Sequence, residues 1–161
     1  MFGLFKQKTN KQLDDVIIRV GSALHKQIKM AADEVGQTNW KAVFKRMDDT
    51  VTAGYLFGYV QASFADFSLQ EKEMDMCMRK VFDGIFPDEG YSLVMSKIDM
   101  LNNADDMGLN IKIEEVAVDF GMGIDLGEND VAVNSGGLEV ASSLLLYLKT
   151  GKIRGAVRAA W

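Results

Sequence analysis

From Lys11 to Val35 apolar side chains recur at three- and four-residue spacing: Leu13, Val16, Ile17, Val20, Leu24, Ile28, Ala31 and Val35. In a helix that spacing collects them on one face, with lysines and aspartates opposite. Gly36 follows the last of them, where a left-handed residue would close the helix. Residues 1–10 carry no such period and are expected to be a tail. A second, short helix is predicted from Trp40, with Val43, Phe44 and Met47 on one side and Thr38 or Asn39 as its cap.

Val51 to Ala65, VTAGYLFGYVQASFA, is apolar on nearly every side, the mark of a central helix packed all round. Gly54, Gly58 and Ala62 recur every four residues within it and would let a neighbouring helix come close. Met74, Met78, Val81, Phe82 and Ile85 mark a further amphipathic helix, stopped at Phe86-Pro87. Tyr91 to Asn103 follows, with Val94, Ile98 and Leu101 in register. A last long helix is read from Leu138 to Lys149.

One region reads two ways. Ile113, Val116, Ala117, Phe120 and Ile124 fit a helical face, yet Leu109, Ile111 and Ile113, then Val116, Val118 and Phe120, alternate as a strand does. The expected fold is therefore all-α, one domain over residues 1–161 with about six or seven helices around Val51 to Ala65. The alternative is α+β, with a hairpin within 109–133. A shift of 59 residues also lays Asp66 on Asp125 and Glu71 on Asp130, with Met74 on Val133, Val81 on Val140 and Ile85 on Leu144. A pseudo-repeat around 51–86 and 110–149 is the corresponding expectation.

Composition narrows the class. A hydrophobic share of 48% is enough to build a core, and it sets disorder aside. Cys77 is the single cysteine, so neither an intrachain disulfide nor a cysteine-based zinc site is available. The first residues lack the apolar run of a secretory signal and no long apolar stretch is uninterrupted, so a cytoplasmic protein is expected. Asp66 to Asp130 holds 16 acidic and 5 basic side chains, net −11. That charge repels a phosphate backbone and disfavours nucleic acid. Both ends are basic, through Lys6, Lys8 and Lys11 and through Lys149, Lys152, Arg154 and Arg158. Membrane association is expected to be no more than weak contact through these ends.

Candidate chemistry centres on carboxylates. Ser68-Leu69-Gln70-Glu71 has the S-x-x-E form of a capping box, and Asp125-Leu126-Gly127-Glu128 would open a helix in the same way with aspartate as cap. Asp66, Glu71, Asp125 and Asp130 would converge if the two halves packed symmetrically. Four carboxylates suit Ca²⁺, Mg²⁺ or Mn²⁺, hard cations that prefer oxygen. A loop from Asn103 to Glu114 has glycine and glutamate at EF-hand spacing, but Met107 stands where a ligand oxygen is needed. His25 is the sole histidine and has no serine or cysteine elbow to serve. Met74 and Met78 share a helical face while Met76 points away, so the run from Met74 to Met78 reads as core filling rather than a soft-metal site. Neither Gly121-Met122-Gly123 nor Gly136-Gly137 completes a nucleotide motif.

The segment from Ala62 to Asp75, ASFADFSLQEKEMD, lies between an apolar helix and an amphipathic one and resembles the TerB-like tellurite-resistance family. Ala65-Asp66 and Glu71 match the family's pattern of an alanine-rich turn with aspartate and an acid opening the next helix. Asp125 and Asp130 match it in the second half, while Phe67 and Leu126 stand where the family has glycine. The resemblance implies an all-helical domain of two related halves and a non-enzymatic role in stress or metal response, with divalent-cation binding. The expected function is thus a small cytoplasmic binding or regulatory protein. An interaction module or homo-oligomer, using the Gly54/Gly58 face or exposed methionines, is one alternative. An enzyme with a carboxylate acid/base pair is another.

Overall fold

The computed structural model describes the backbone of residues 2–34, 50–87, 89–103 and 113–134. Five α-helices and one short 3-10 turn occupy them, with no strand among the described residues. They are α1 (Phe2–Glu34), α2 (Thr50–Ser63), the turn Ala65–Phe67, α3 (Glu71–Ile85), α4 (Gly90–Asn102) and α5 (Ile113–Asn134). The fold is all-α. The short helix expected from Trp40, the one from Leu138 to Lys149 and most of the loop between Asn103 and Glu114 lie outside the described residues.

Helix α1 buries Leu13, Val16, Ile17, Val20, Leu24 and Ile28, the face set by the apolar spacing. It begins at Phe2, so residues expected to be a tail are helical. No proline interrupts the run and its only glycines are Gly3 and Gly21, so nothing local stops the helix. Helix α2 is central. Tyr55, Leu56 and Val60 are fully buried, and even Thr52, Gly54 and Gly58 lie inside. The side chains of α1 and α3 close over it, with fully buried Phe64, Phe82 and Phe86 filling the space. Each such aromatic contributes about 1.5–3 kcal/mol by leaving water.

The closest packing is between α2 and α5. A methyl placed on Gly54 would lie 3.0 Å from the carbonyl carbon of Phe120, and one on Gly58 only 2.7 Å from Ile124 Cα. The relation is mutual: a methyl on Gly123 would meet Tyr55 N at 2.7 Å, and one on Gly127 would meet Tyr59 N at 2.6 Å. Residue numbers rise together along the two helices, so they run parallel. Each glycine Cα faces a carbonyl of the other helix (those of Phe120, Ile124, Val51 and Tyr55), the arrangement in which Cα–H groups make weak hydrogen bonds. The Gly54/Gly58 face is therefore occupied within the chain and is not open for an oligomer contact.

This seam settles the ambiguous region. Residues 113–134 form one helix, which excludes a hairpin there. Its inward face is Phe120, Gly123, Leu126, Gly127 and Asp130, while Ala117, placed on the core face by periodicity alone, is exposed. Helix α5 turns Gly123 and Gly127 inward because only glycine allows backbone contact with α2. Asp125 consequently caps nothing, since it sits inside a continuous helix. The break after Ser63 has no counterpart at positions 122–130.

The chain leaves α2 through Ser63, whose hydroxyl donates to Tyr59 O at 2.7 Å, and through the turn Ala65–Phe67. Ser68 then adopts a left-handed conformation, φ 49°. A residue in that shape cannot serve as the extended N-cap of a helix. The capping box lies two residues later than expected: Gln70 is the N-cap, and its N–H donates to Glu73 Oε2 at 2.9 Å. Helix α3 stops ahead of Pro87, with Phe86 N–H bonded to Phe82 O at 2.8 Å. Helix α4 starts at Gly90, where a methyl would lie 3.0 Å from Phe86 Cβ.

Candidate functional site

The four carboxylates singled out by sequence have different fates. Asp66, on the 3-10 turn, and Glu71, the first residue of α3, are exposed. Neither takes part in the cap, which uses Gln70 and Glu73. Asp125 is exposed on the outer face of α5, whereas Asp130, five residues on, points inward and is 8% exposed. Five residues advance a helix by about 140° around its axis, so these two cannot share a ligand. Among the described residues no group of three or more His, Cys, Asp or Glu side chains is placed to hold a metal ion.

Asp130 has acquired a structural partner. The Tyr55 hydroxyl, on α2, donates to Asp130 Oδ2 at 2.6 Å and also approaches Gln27 Oε1 of α1 at 3.0 Å. Tyr55 is fully buried, so this polar node ties α1, α2 and α5 together inside the core. The glycine seam places it: Asp130 follows Gly123 and Gly127 at seven and three residues and so faces α2 as they do.

A second polar group joins α3 to α4. The Tyr91 hydroxyl donates to Asp75, its backbone N–H donates to Asp83 Oδ1 at 3.0 Å, and the Arg79 guanidinium carbon lies 3.9 Å from its ring centre. The Asp83 carboxylate thereby satisfies a backbone donor at the start of α4 that has no intrahelical acceptor. The hydrogen bond to Asp75 holds the Tyr91 phenol above its ordinary value of 10.0; partial burial and the charges of Asp75 and Asp99 add to the rise, and Arg79 opposes it. A raised value means that the neutral phenol is favoured in the folded chain. Its stabilisation is complete below pH 10 and is lost as pH rises through the folded value. Chemical unfolding measured from pH 8 to pH 12 should therefore show the natural protein losing stability on the alkaline side relative to Tyr91→Phe. Parallel curves would contradict this assignment.

The remaining candidates are quiet. His25 is exposed on α1. Cys77 is fully buried, and burial pushes its thiol up, with Lys80 opposing and Glu73 and Asp14 adding to the rise. A buried thiol held protonated is a poor nucleophile and a poor ligand. Met78 is buried and Met74 half-buried beside it, while Met76 is exposed, so the methionines do not converge. Lys80 Nζ lies 3.4 Å from Asp14 Oδ1 between α1 and α3, but both side chains are about half in water and the pair contributes at most about 1 kcal/mol. Thr52 Oγ1 is buried without a hydrogen-bond partner among the described residues.

Sequence reasoning did not find Tyr55, Gln27 or Tyr91. Their partners lie 75, 28 and 16 residues away along the chain, beyond any helical period. Among the described residues no helix is long and apolar enough to cross a membrane. No protein-family model, no curated protein and no solved structure matches this chain.

Proposed function

We propose that this chain is a small, non-enzymatic binding or regulatory protein acting in the cytoplasm, of the stress-response type that its resemblance to the TerB-like family implies. The observation that carries the reading is the division of labour among its carboxylates. Asp130, the one buried carboxylate among the described residues, is engaged by Tyr55. Asp66, Glu71 and Asp125 stand in solvent on a region of net charge −11 and are not used by the helix cap. An acidic exterior of this kind attracts cations and basic partners. A Ca²⁺, Mg²⁺ or Mn²⁺ ion at Asp66 and Glu71, or at Asp125, would keep most of its water, as Mg²⁺ commonly does when one or two carboxylates hold it.

Calorimetric titration with the three cations tests this. The expected result is heat on binding that is lost in the Asp66→Ala/Asp125→Ala double variant and kept in Asp130→Asn. No heat from the natural protein would remove the cation from the proposal.

A further inference from the structure

We propose that Met30 and Met76 are reversible oxidation sites, two surface thioethers that consume a small hydroperoxide while the sulfur of the core stays reduced. The sorting is plainest on α3, where Met76, Cys77 and Met78 follow one another. Met76 is 42% exposed, whereas Met78 is 3% exposed and Cys77 is fully buried. Each residue advances a helix by about 100° around its axis, so the face that turns Cys77 and Met78 inward leaves Met76 in water. Its neighbours one turn away, Lys72, Glu73, Arg79 and Lys80, are exposed as well. On α1, Met30 is 48% exposed. A peroxide reaches either sulfur without any opening of the fold.

The side chain that a peroxide would otherwise attack is withheld. Burial pushes the Cys77 thiol up, so it stays protonated and sealed. A thioether needs no deprotonation to react. Its sulfur lone pair attacks one peroxide oxygen, and the S–O bond forms as the O–O bond breaks. From hydrogen peroxide the other oxygen leaves with a proton as water; sulfur has lost two electrons and the peroxide has gained them. Two thiols reverse the step through a sulfoxide reductase, giving the thioether, a disulfide and water. A sulfoxide disrupts an apolar core. At positions 30 and 76 its oxygen is solvated instead. This chemistry uses no bound cation and stands apart from the binding role proposed above.

Peptide mapping by mass spectrometry over a hydrogen peroxide time course tests it on the natural protein. Met30 and Met76 should gain one oxygen at least about tenfold faster than Met78, with no sulfenic acid at Cys77. In denaturant Met76 and Met78 should react at one rate, because only burial separates them. A reductase supplied with a dithiol should restore the mass of both surface peptides. The oxidised natural protein and oxidised Met30→Leu/Met76→Leu should unfold within about 2 °C of each other, as for other changes on a solvated surface. Oxidation of Met78 or Cys77 as fast as Met76, or a much lower midpoint for the oxidised natural protein than for the oxidised variant, would overturn the proposal.

Discussion

Replacing Gly58 with alanine should lower the stability of this protein by about 3 kcal/mol, the upper end of the cost of overpacking. For a domain of this size that is a fall of roughly 10 °C in the unfolding midpoint. The added methyl would lie 2.7 Å from Ile124 Cα. Backbone cannot rotate aside as a side chain can, so α2 and α5 must separate. That separation opens the seam along both helices and loosens Phe120 and Leu126 as well. Gly54→Ala, Gly123→Ala and Gly127→Ala should behave alike, since each meets backbone of the opposite helix. Gly21→Ala is the control. Nothing lies within 4 Å of its added methyl, and α1 should gain about 0.8 kcal/mol from the better helix former. Thermal unfolding of the five variants checks the whole set, and a Gly58→Ala protein as stable as the natural one would contradict the seam.

Tyr55→Phe should cost about 2 kcal/mol although it removes a single oxygen. That oxygen is fully buried and lies within hydrogen-bonding distance of both Asp130 Oδ2 and Gln27 Oε1. Without it an interior carboxyl loses a donor at 2.6 Å that water cannot easily replace, because Asp130 is only 8% exposed. The comparison is Asp14→Asn, which removes the ion pair with Lys80 at the surface and should change stability by no more than about 0.5 kcal/mol. Denaturant titration resolves the two if the slope is unchanged and only the midpoint moves. Equal, small effects from both variants would show that the Tyr55 node contributes nothing special.

How far the fold could be read from the chain depended on whether each signal was local. The six buried positions of α1 follow from spacing alone, and α2 was recognisable as central because it is apolar all round. Gly54 and Gly58 announced a close helix approach, but not which helix would make it. The facing pair on α5, Gly123 and Gly127, has the same spacing, but glycine carries no side chain for an apolar period to register. An apolar count placed Ala117 inward; backbone contact decided otherwise. The same rotation carried Asp130 into the core and left Asp125 outside, so two acids that looked equivalent in sequence ended on different sides of one helix. At the start of α3 the S-x-x-E pattern was two residues early, because Ser68 is spent on a left-handed turn that no periodicity reveals. The Tyr91 clasp was invisible for a different reason: its contacts depend on the angle at which α4 folds back after Pro87.

The fold turns on α2 and α5 lying parallel in backbone contact, because that contact directs Asp130 to Tyr55 and leaves Asp125 in solvent. Nuclear Overhauser spectroscopy of the glycine Hα protons measures it directly. Gly54 should show a cross-peak to Gly123, whose Cα would lie 3.2 Å from a methyl on Gly54, and Gly58 should show one to Ile124 or Gly127. Glycine Hα signals in α2 that see only their own helix would contradict the account.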